Sequence, residues 1–227
     1  MINVAHNVWL LPYELRILGV NIGRNVTVIR LNSGRLVIHS TARFSEEDVS
    51  AIRLLGEPGW LVEGMIDHDT FSREGREAFP DIPFIAPASF QARVDFEVES
   101  IDSPPAEWIP EMEVIQIEGA PKMAEAVFFH RPTGTLVVCD LLFHFPDPPS
   151  MWAKTLLTLA LGFHHAPGFS NRLKMAINDK DAFRASLMKI MSLPIERIVP
   201  GHGKVLENKA RERAGKTFSN RGYLEEI

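Results

Sequence analysis

Apolar and polar residues alternate with strand-like and helix-like spacing along the first half of the chain. Two β-type runs, 25–29 and 35–40, flank Asn32-Ser33-Gly34, which predicts a hairpin. Ser45-Glu46-Glu47-Asp48 resembles a capping box, and apolar residues at helical spacing then predict a helix ending at Gly56. Short apolar runs at 60–62 and 82–86 predict further strands, and an amphipathic stretch lies between them at 71–79.

The second half repeats this order of elements. Runs at 113–117, 125–129 and 135–139 predict strands, and 132–134 forms the turn between the last two. After Asp140 the period becomes helical, with predicted helices at 152–163 and 182–191, a strand at 195–199 and a polar, charged C-terminal segment. Two batches of strands and helices predict a layered α/β domain with a sheet sandwich inside. At 227 residues, we expect a single domain spanning 1–227.

Composition narrows the class of protein. With 45% hydrophobic and 23% charged residues the chain has the composition of a globular protein. Its net charge of -5 does not indicate a basic surface for nucleic acid, so we expect no nucleic-acid partner. A single cysteine, Cys139, in an apolar run predicts a buried thiol and fits a reducing cytoplasm. The longest apolar run, 155–163, is too short to span a bilayer, so we expect no membrane partner. The apolar helix predicted at 152–163 could pack against a second copy of the chain, so a homodimer is one expectation.

Four candidate metal ligands follow predicted strands. Asp67 and His68 follow the run at 60–62, Asp140 ends the run at 135–139, and His202 lies in a Pro-Gly-His-Gly turn after 195–199. Loops from distant parts of a chain converge beyond strand ends, where ligand sites gather. The pattern therefore predicts one site built from three strand ends.

Two of these segments resemble a known family. Leu136-Val137-Val138-Cys139-Asp140-Leu141-Leu142-Phe143 resembles the strand-and-aspartate motif of the metallo-β-lactamase superfamily, and Ile198-Val199-Pro200-Gly201-His202-Gly203 resembles its last histidine motif. Within that superfamily the chain resembles an uncharacterised branch, a family of unknown function. The resemblance implies a four-layer αββα sandwich, in the α/β (α+β) class, with metals bound at one edge.

The family's His-x-His-x-Asp-His loop is incomplete in this chain. Matching its last two residues to Asp67 and His68 places Glu63 and Met65 on the two preceding histidines, and Ala120 stands where the next family histidine is expected. The resemblance therefore implies that one of two metal positions is lost. The other keeps its ligand set, Asp67, His68, Asp140 and His202.

Two imidazoles and two carboxylates suit one divalent ion, Zn²⁺, Fe²⁺ or Mn²⁺. The carboxylates would cancel the charge of the ion and acidify bound water less than three histidines do. We therefore take Asp67 and Glu63 as candidate catalytic residues, with Glu63 as an auxiliary base. The predicted function is hydrolysis of an unidentified small molecule.

Other interpretations of these residues remain open. Asp67 could cap the following helix, and the other three could be ordinary loop residues. His144 or His164-His165 could complete a metal shell, while His39 is expected to be structural and Met65 to fill space left by a histidine. Two alternative functions are a catalytically inactive relative that binds or scaffolds without metal, and an iron-dependent redox protein.

Overall fold

The computed structural model describes residues 1–148, 150–161 and 167–225. Its strands are β1 (Ile2–Ala5), β2 (Val8–Tyr13), β3 (Arg16–Ile17), β4 (Val20–Asn21), β5 (Arg24–Arg30), β6 (Arg35–His39), β7 (Glu57–Val62), β8 (Phe84–Ala86), β9 (Glu99–Ser100), β10 (Met112–Gln116), β11 (Ala126–His130), β12 (Thr135–Val137) and β13 (Arg197–Val199). Its α-helices are α1 (Glu46–Leu55), α2 (Ser72–Ala78), α3 (Met151–Leu161), α4 (Asn171–Ala176), α5 (Lys180–Ser192) and α6 (Ala210–Asn220). Short 3₁₀ helices cover Ile66–Phe71, Ala88–Arg93, Ala106–Trp108 and Arg131–Thr133.

The strands form two main sheets. The larger has the order β1-β2-β5-β6-β7-β8-β9 and the smaller β10-β11-β12-β13, while β3 and β4 form a separate hairpin. Strands β6 to β9 are parallel neighbours in the larger sheet, and β12 and β13 are parallel in the smaller one. Because parallel strands end at the same edge, the loops after β7, β12 and β13 can meet there.

Alternating side chains divide the core into layers. In β6, Leu36 and Ile38 join an outer cluster that contains Ile52 of α1, whereas Val37 points into a cluster between the two sheets. In β11 the same alternation sends Phe128 between the sheets and Phe129 toward α5 and α6. A period of two buries both faces of each sheet. The predicted αββα sandwich is therefore confirmed.

Most predicted elements are confirmed, and the elements that were not predicted lie at the two ends of the chain and, as the short β9 and α4, between them. The hairpin is β5–β6, and α1 begins with the predicted Ser45 capping box and ends at Gly56. The N-terminal strands β1 to β4 were not predicted, nor was α6, because its residues are mostly polar and it buries only a narrow stripe that includes Ala214 and Phe218. The predicted helix at 152–163 is α3, and its last two residues lie outside the described residues, as do His164-His165.

No helix in the described ranges is both long enough and apolar enough to cross a bilayer.

His130, at the end of β11, provides a test of how acid acts on the fold. Its side chain is buried, Nδ1 bonds the Thr133 hydroxyl at 2.8 Å, and burial together with the nearby His6 lowers its pKa to about 4. The folded pKa lies below the unfolded one, so stability is lost as the pH falls from about 6.5 toward 4. When the pH falls from 7 to 5, the free energy of unfolding should decrease in both proteins. We expect the decrease to be about 2 kcal/mol smaller for His130→Asn than for the wild type. Urea unfolding at both pH values measures this, and equal losses would contradict it.

Candidate metal centre

Three of the four predicted ligands meet at the edge where the parallel strands end. His68 lies in the 3₁₀ helix that follows β7, Asp140 follows β12, and His202 follows β13. One ligand atom from each of these three residues lies within 4.8 Å of the others; both histidines are buried, and the Asp140 side chain is 14% exposed. The structure therefore brings His68, Asp140 and His202 together, and their role as metal ligands stays a prediction.

Both histidines direct the same ring nitrogen at one carboxylate oxygen. His68 Nε2 lies 3.2 Å and His202 Nε2 3.5 Å from Asp140 Oδ1. His202 Nδ1 is 2.5 Å from the Gly23 carbonyl oxygen, and a carbonyl only accepts, so Nδ1 of the neutral ring carries the proton and Nε2 keeps its lone pair. His68 Nδ1 has no hydrogen-bond partner among the described residues and faces Glu63 Oε2 at 3.9 Å.

The electrostatics favour the protonation states that metal ligands need. Burial and the positive charge of Arg24 lower the pKa of His68 to about 3, and burial also lowers the pKa of His202. Burial alone would raise the pKa of Asp140, but the hydrogen bond to His68 and the neighbouring positive charges outweigh it and bring the pKa to about 2. Neutral imidazoles beside an ionised carboxylate are the charge states that a metal site requires, and a bound ion would replace the His68–Asp140 hydrogen bond.

Buried polar contacts hold the ligand loops in place. Glu125 accepts backbone N–H bonds from Cys139, Asp140 and Leu141 at 2.8 to 3.1 Å, which fixes the turn that carries Asp140. Burial and then the Asp140 charge raise the pKa of Glu125 to about 8. On the His202 side, the Asn25 side chain donates to the carbonyl oxygens of Pro200 and Gly203, both at 2.8 Å.

The backbone packs so closely around the site that a side chain is excluded at position 201. A Cβ on Gly201 would lie 2.8 Å from the Cys139 carbonyl oxygen and 2.9 Å from His68 Cε1. Glycine at this position therefore allows the loops of His202, Asp140 and His68 to approach one another.

An arginine and a glutamate form a buried ion pair directly behind His68. Arg24 Nη2 lies 2.8 Å from Glu63 Oε1, and their side chains are 2% and 0% exposed. The guanidinium also donates to the carbonyl oxygens of His68 and Thr41, and Glu63 accepts bonds from the Thr41 backbone N–H and hydroxyl and from the Ser40 hydroxyl. The candidate base Glu63 is thus enclosed by donors and lies behind His68.

Asp67, the fourth predicted ligand, is held by two cations. Its Oδ1 lies 3.5 Å from Arg93 Nη2, and its Oδ2 is hydrogen bonded to Arg172 Nη2. It therefore stands outside the cluster of His68, Asp140 and His202, and its metal-binding and catalytic roles remain predictions.

The other polar and apolar candidates have structural surroundings. His144 Nδ1 faces the carbonyl oxygens of Lys204 and Val205, each at 3.1 Å, and its Nε2 accepts a bond from Arg213. Met65 is fully buried in the same apolar cluster as Ala120, as expected of a residue that fills space. His39 and Cys139 are both buried, and the predicted burial of the thiol is confirmed.

Sequence reasoning did not identify Arg24 or Glu125 as residues of the site. Arg24 precedes a predicted strand, where charged residues are common, and its partner Glu63 lies 39 positions further along the chain. Glu125 was placed in a strand, and its only signal is an acidic residue at the start of an otherwise apolar run. Neither signal is specific without the fold.

The donor set fits a divalent ion. Two imidazole nitrogens and one carboxylate are a set used by catalytic zinc and by mononuclear iron. His202 is locked in one tautomer by Gly23, and the unpartnered Nδ1 of His68 faces a carboxylate, the outer contact that ligand histidines usually make. The fit rests on these contacts and on the neutral state of both rings.

The sequence matches no protein-family model and no curated protein. Its fold is similar to that of a metallo-beta-lactamase from Pontibacter korlensis, with 13% identity, 96% of this chain and 97% of that chain covered, and a TM-score of 0.66. Similarity to the metallo-beta-lactamase FIM-1 from Pseudomonas aeruginosa, solved in a mono-zinc form, covers 98% and 95% at 13% identity with a TM-score of 0.64. A mutant flavo di-iron protein from Thermotoga maritima is 14% identical over 96% of this chain and 61% of its own, with a TM-score of 0.64.

These similarities cover nearly the whole chain, and they agree with the αββα layers described above. The chain therefore has the metallo-β-lactamase fold.

Proposed function

We propose that the protein is a metal-dependent hydrolase with a single ion bound by His68, Asp140 and His202. The observation that carries this proposal is the approach of two histidine Nε2 atoms to one oxygen of Asp140, at 3.2 and 3.5 Å. Burial lowers the pKa of both rings, so both are neutral at pH 7. The arrangement is preorganised for a cation.

The surroundings of the cluster support one ion rather than two. At the positions of the family's three other histidines stand Glu63, Met65 and Ala120, and all three are buried. Met65 and Ala120 pack in the core, and Glu63 is paired with Arg24. The oxygens of Glu63 already accept bonds from Arg24, Thr41 and Ser40, so this carboxylate offers no free ligand to a second cation.

The remaining residues have defined roles in this proposal. A bound divalent ion would supply an activated water molecule. Gly23 keeps His202 in the tautomer whose Nε2 faces the site, Glu125 holds Asp140 in place, and Phe143 stacks on the His202 ring with centroids 5.9 Å apart and nearly parallel planes. Three protein ligands leave a position for water or substrate on a four-coordinate ion.

One observation favours a second candidate function. Two histidines and one carboxylate are also the ligand set of mononuclear iron oxygenases. An iron-dependent redox protein is therefore the alternative, and the identity of the metal separates it from the hydrolase. A binding module without metal is the third outcome.

Metal analysis of protein purified without added metal tests the proposal. We expect about one equivalent of zinc or manganese, measured by mass spectrometry of the native protein, because the ligand set holds one ion. His202→Ala and Asp140→Asn should each lose it, since two remaining ligands bind weakly. Zinc or manganese supports the hydrolase, iron supports the redox alternative, and absence of metal refutes both.

His130→Asn is the matched control, because His130 is equally buried but lies at the far end of β11. It should keep the ion. If His202→Ala binds as much metal as His130→Asn, the ligand assignment is wrong. Asp67→Asn tests the predicted fourth ligand separately, since loss of metal from this variant would show that Asp67 binds the ion.

A further inference from the structure

The carboxylate of Asp67 forms ion pairs with two arginines from distant parts of the chain. Arg93 ends the 3₁₀ helix Ala88–Arg93, and Arg172 lies in α4. Each approaches a different oxygen of Asp67. The Asp67 side chain is 17% exposed, whereas those of Arg93 and Arg172 are 46% and 58% exposed.

This arginine pair lies next to the candidate metal centre. Asp67 immediately precedes His68 in the chain. On the other side, Gly168 pairs with Phe143, whose ring stacks on His202, and α4 begins three residues after Gly168. Arg93 and Arg172 therefore meet at a residue adjacent to a metal-ligand candidate, and Arg172 lies in a helix close in sequence to a strand bridge with Phe143.

A groove beside Arg93 offers space for a ligand. Its volume is about 510 Å³, and its charged lining consists of Arg73 and Arg93 together with Asp69, Glu74 and Asp95. Asp69 also lies 3.6 Å from Arg93 Nη1, so part of the charge of Arg93 is already balanced within the groove. Arg172 has Asp67 as its acidic partner among the described residues.

We propose that Arg93 and Arg172 form a subsite for an oxyanion group of the substrate, a carboxylate or a phosphate. The planar guanidinium fork matches both groups with paired hydrogen bonds. In this structure the carboxylate of Asp67 itself lies between the two arginines, in the position that the oxyanion of the substrate would take. The substrate part of this inference rests on the proposed hydrolase function, whereas the anion subsite stands on the geometry of Asp67, Arg93 and Arg172.

Anion binding by the metal-free protein tests the subsite. The protein is treated with a chelator, desalted and titrated with inorganic phosphate, and in parallel with acetate, by isothermal calorimetry. Asp67→Asn removes the internal competitor and should bind at least one of the two anions about 10-fold more tightly than the wild type. Adding Arg172→Gln or Arg93→Gln to Asp67→Asn should abolish that gain. The tighter of the two anions identifies the class of the group.

Glu113→Gln is the matched control. Glu113 also pairs with two cations, Arg131 at 2.9 Å and Lys189 at 3.6 Å, and it lies across from Phe129, away from the ligand loops. It should gain no affinity for either anion. The inference is refuted if Asp67→Asn binds neither anion more tightly than the wild type, if Glu113→Gln gains equally, or if the double variants keep the gain. Because these titrations contain no metal, their result does not depend on whether native protein carries an ion.

Discussion

Replacing Arg24 by methionine should lower the free energy of unfolding by about 3–5 kcal/mol, because it leaves a buried carboxylate without its partner. Arg24 and Glu63 are almost completely excluded from water and lie 2.8 Å apart. The same substitution removes the bonds to the carbonyl oxygens of Thr41 and His68. Urea unfolding of metal-free protein at pH 7 measures the loss.

A double variant separates the ion pair from general damage to the core. Arg24→Met combined with Glu63→Leu replaces both charges by apolar side chains and should recover most of the lost stability, because the uncompensated charge is gone. Arg73→Met is the control, since Arg73 pairs with Asp95 where both side chains are about two-thirds exposed, and the change should be far smaller. Equal losses for Arg24→Met and Arg73→Met would contradict the role of the buried pair.

The pair also explains why the site differs from what the sequence motif predicts. Laying the family loop on this chain shows that histidines are missing, but it cannot show what replaces them. The replacement involves Arg24, which lies at the start of β5 and outside every motif. Strand pairing of β5 with β6 brings Arg24 within reach of Glu63, and this long-range contact has no local signal in the sequence.

Local rules were sufficient for much of the fold. The Asn32-Ser33-Gly34 turn and the Ser45 capping box depend on neighbouring residues, and both predictions are confirmed. Helix α6 was missed because its stability comes from burying a few small or aromatic residues, such as Ala214 and Phe218, against the second sheet. Tertiary packing, rather than propensity, determines such a helix.

For the site, the sequence identified which strand ends converge but not which way each side chain points. Asp67 and His68 are adjacent, yet His68 faces Asp140 while Asp67 faces Arg93 and Arg172. The direction is set by the short 3₁₀ segment that contains both residues, in which the backbone is kinked at His68 (φ -90°, ψ 22°). Only a structure supplies that information.

Replacing Glu125 by alanine should cost about 3–5 kcal/mol of unfolding free energy, because three buried N–H groups lose their acceptor. These are the N–H groups of Cys139, Asp140 and Leu141, and the turn they form carries the central carboxylate of the metal centre. Glu125→Gln keeps one carbonyl oxygen for this turn and should be less destabilising. Urea unfolding of both metal-free variants gives the comparison.

The same turn should control metal affinity without Glu125 touching the ion. We expect Glu125→Gln to weaken zinc binding by about 10–100-fold, since residues that orient a ligand usually have effects of that size. Titration against a competing chelator measures the affinity. Glu111→Gln is the control: Glu111 is also buried and accepts the Asn32 N–H at 2.8 Å, but it precedes β10, so zinc affinity should not change. If Glu125→Gln and Glu111→Gln bind zinc equally well, the orientation of Asp140 does not depend on Glu125, and the ligand loop is held by its strand contacts alone.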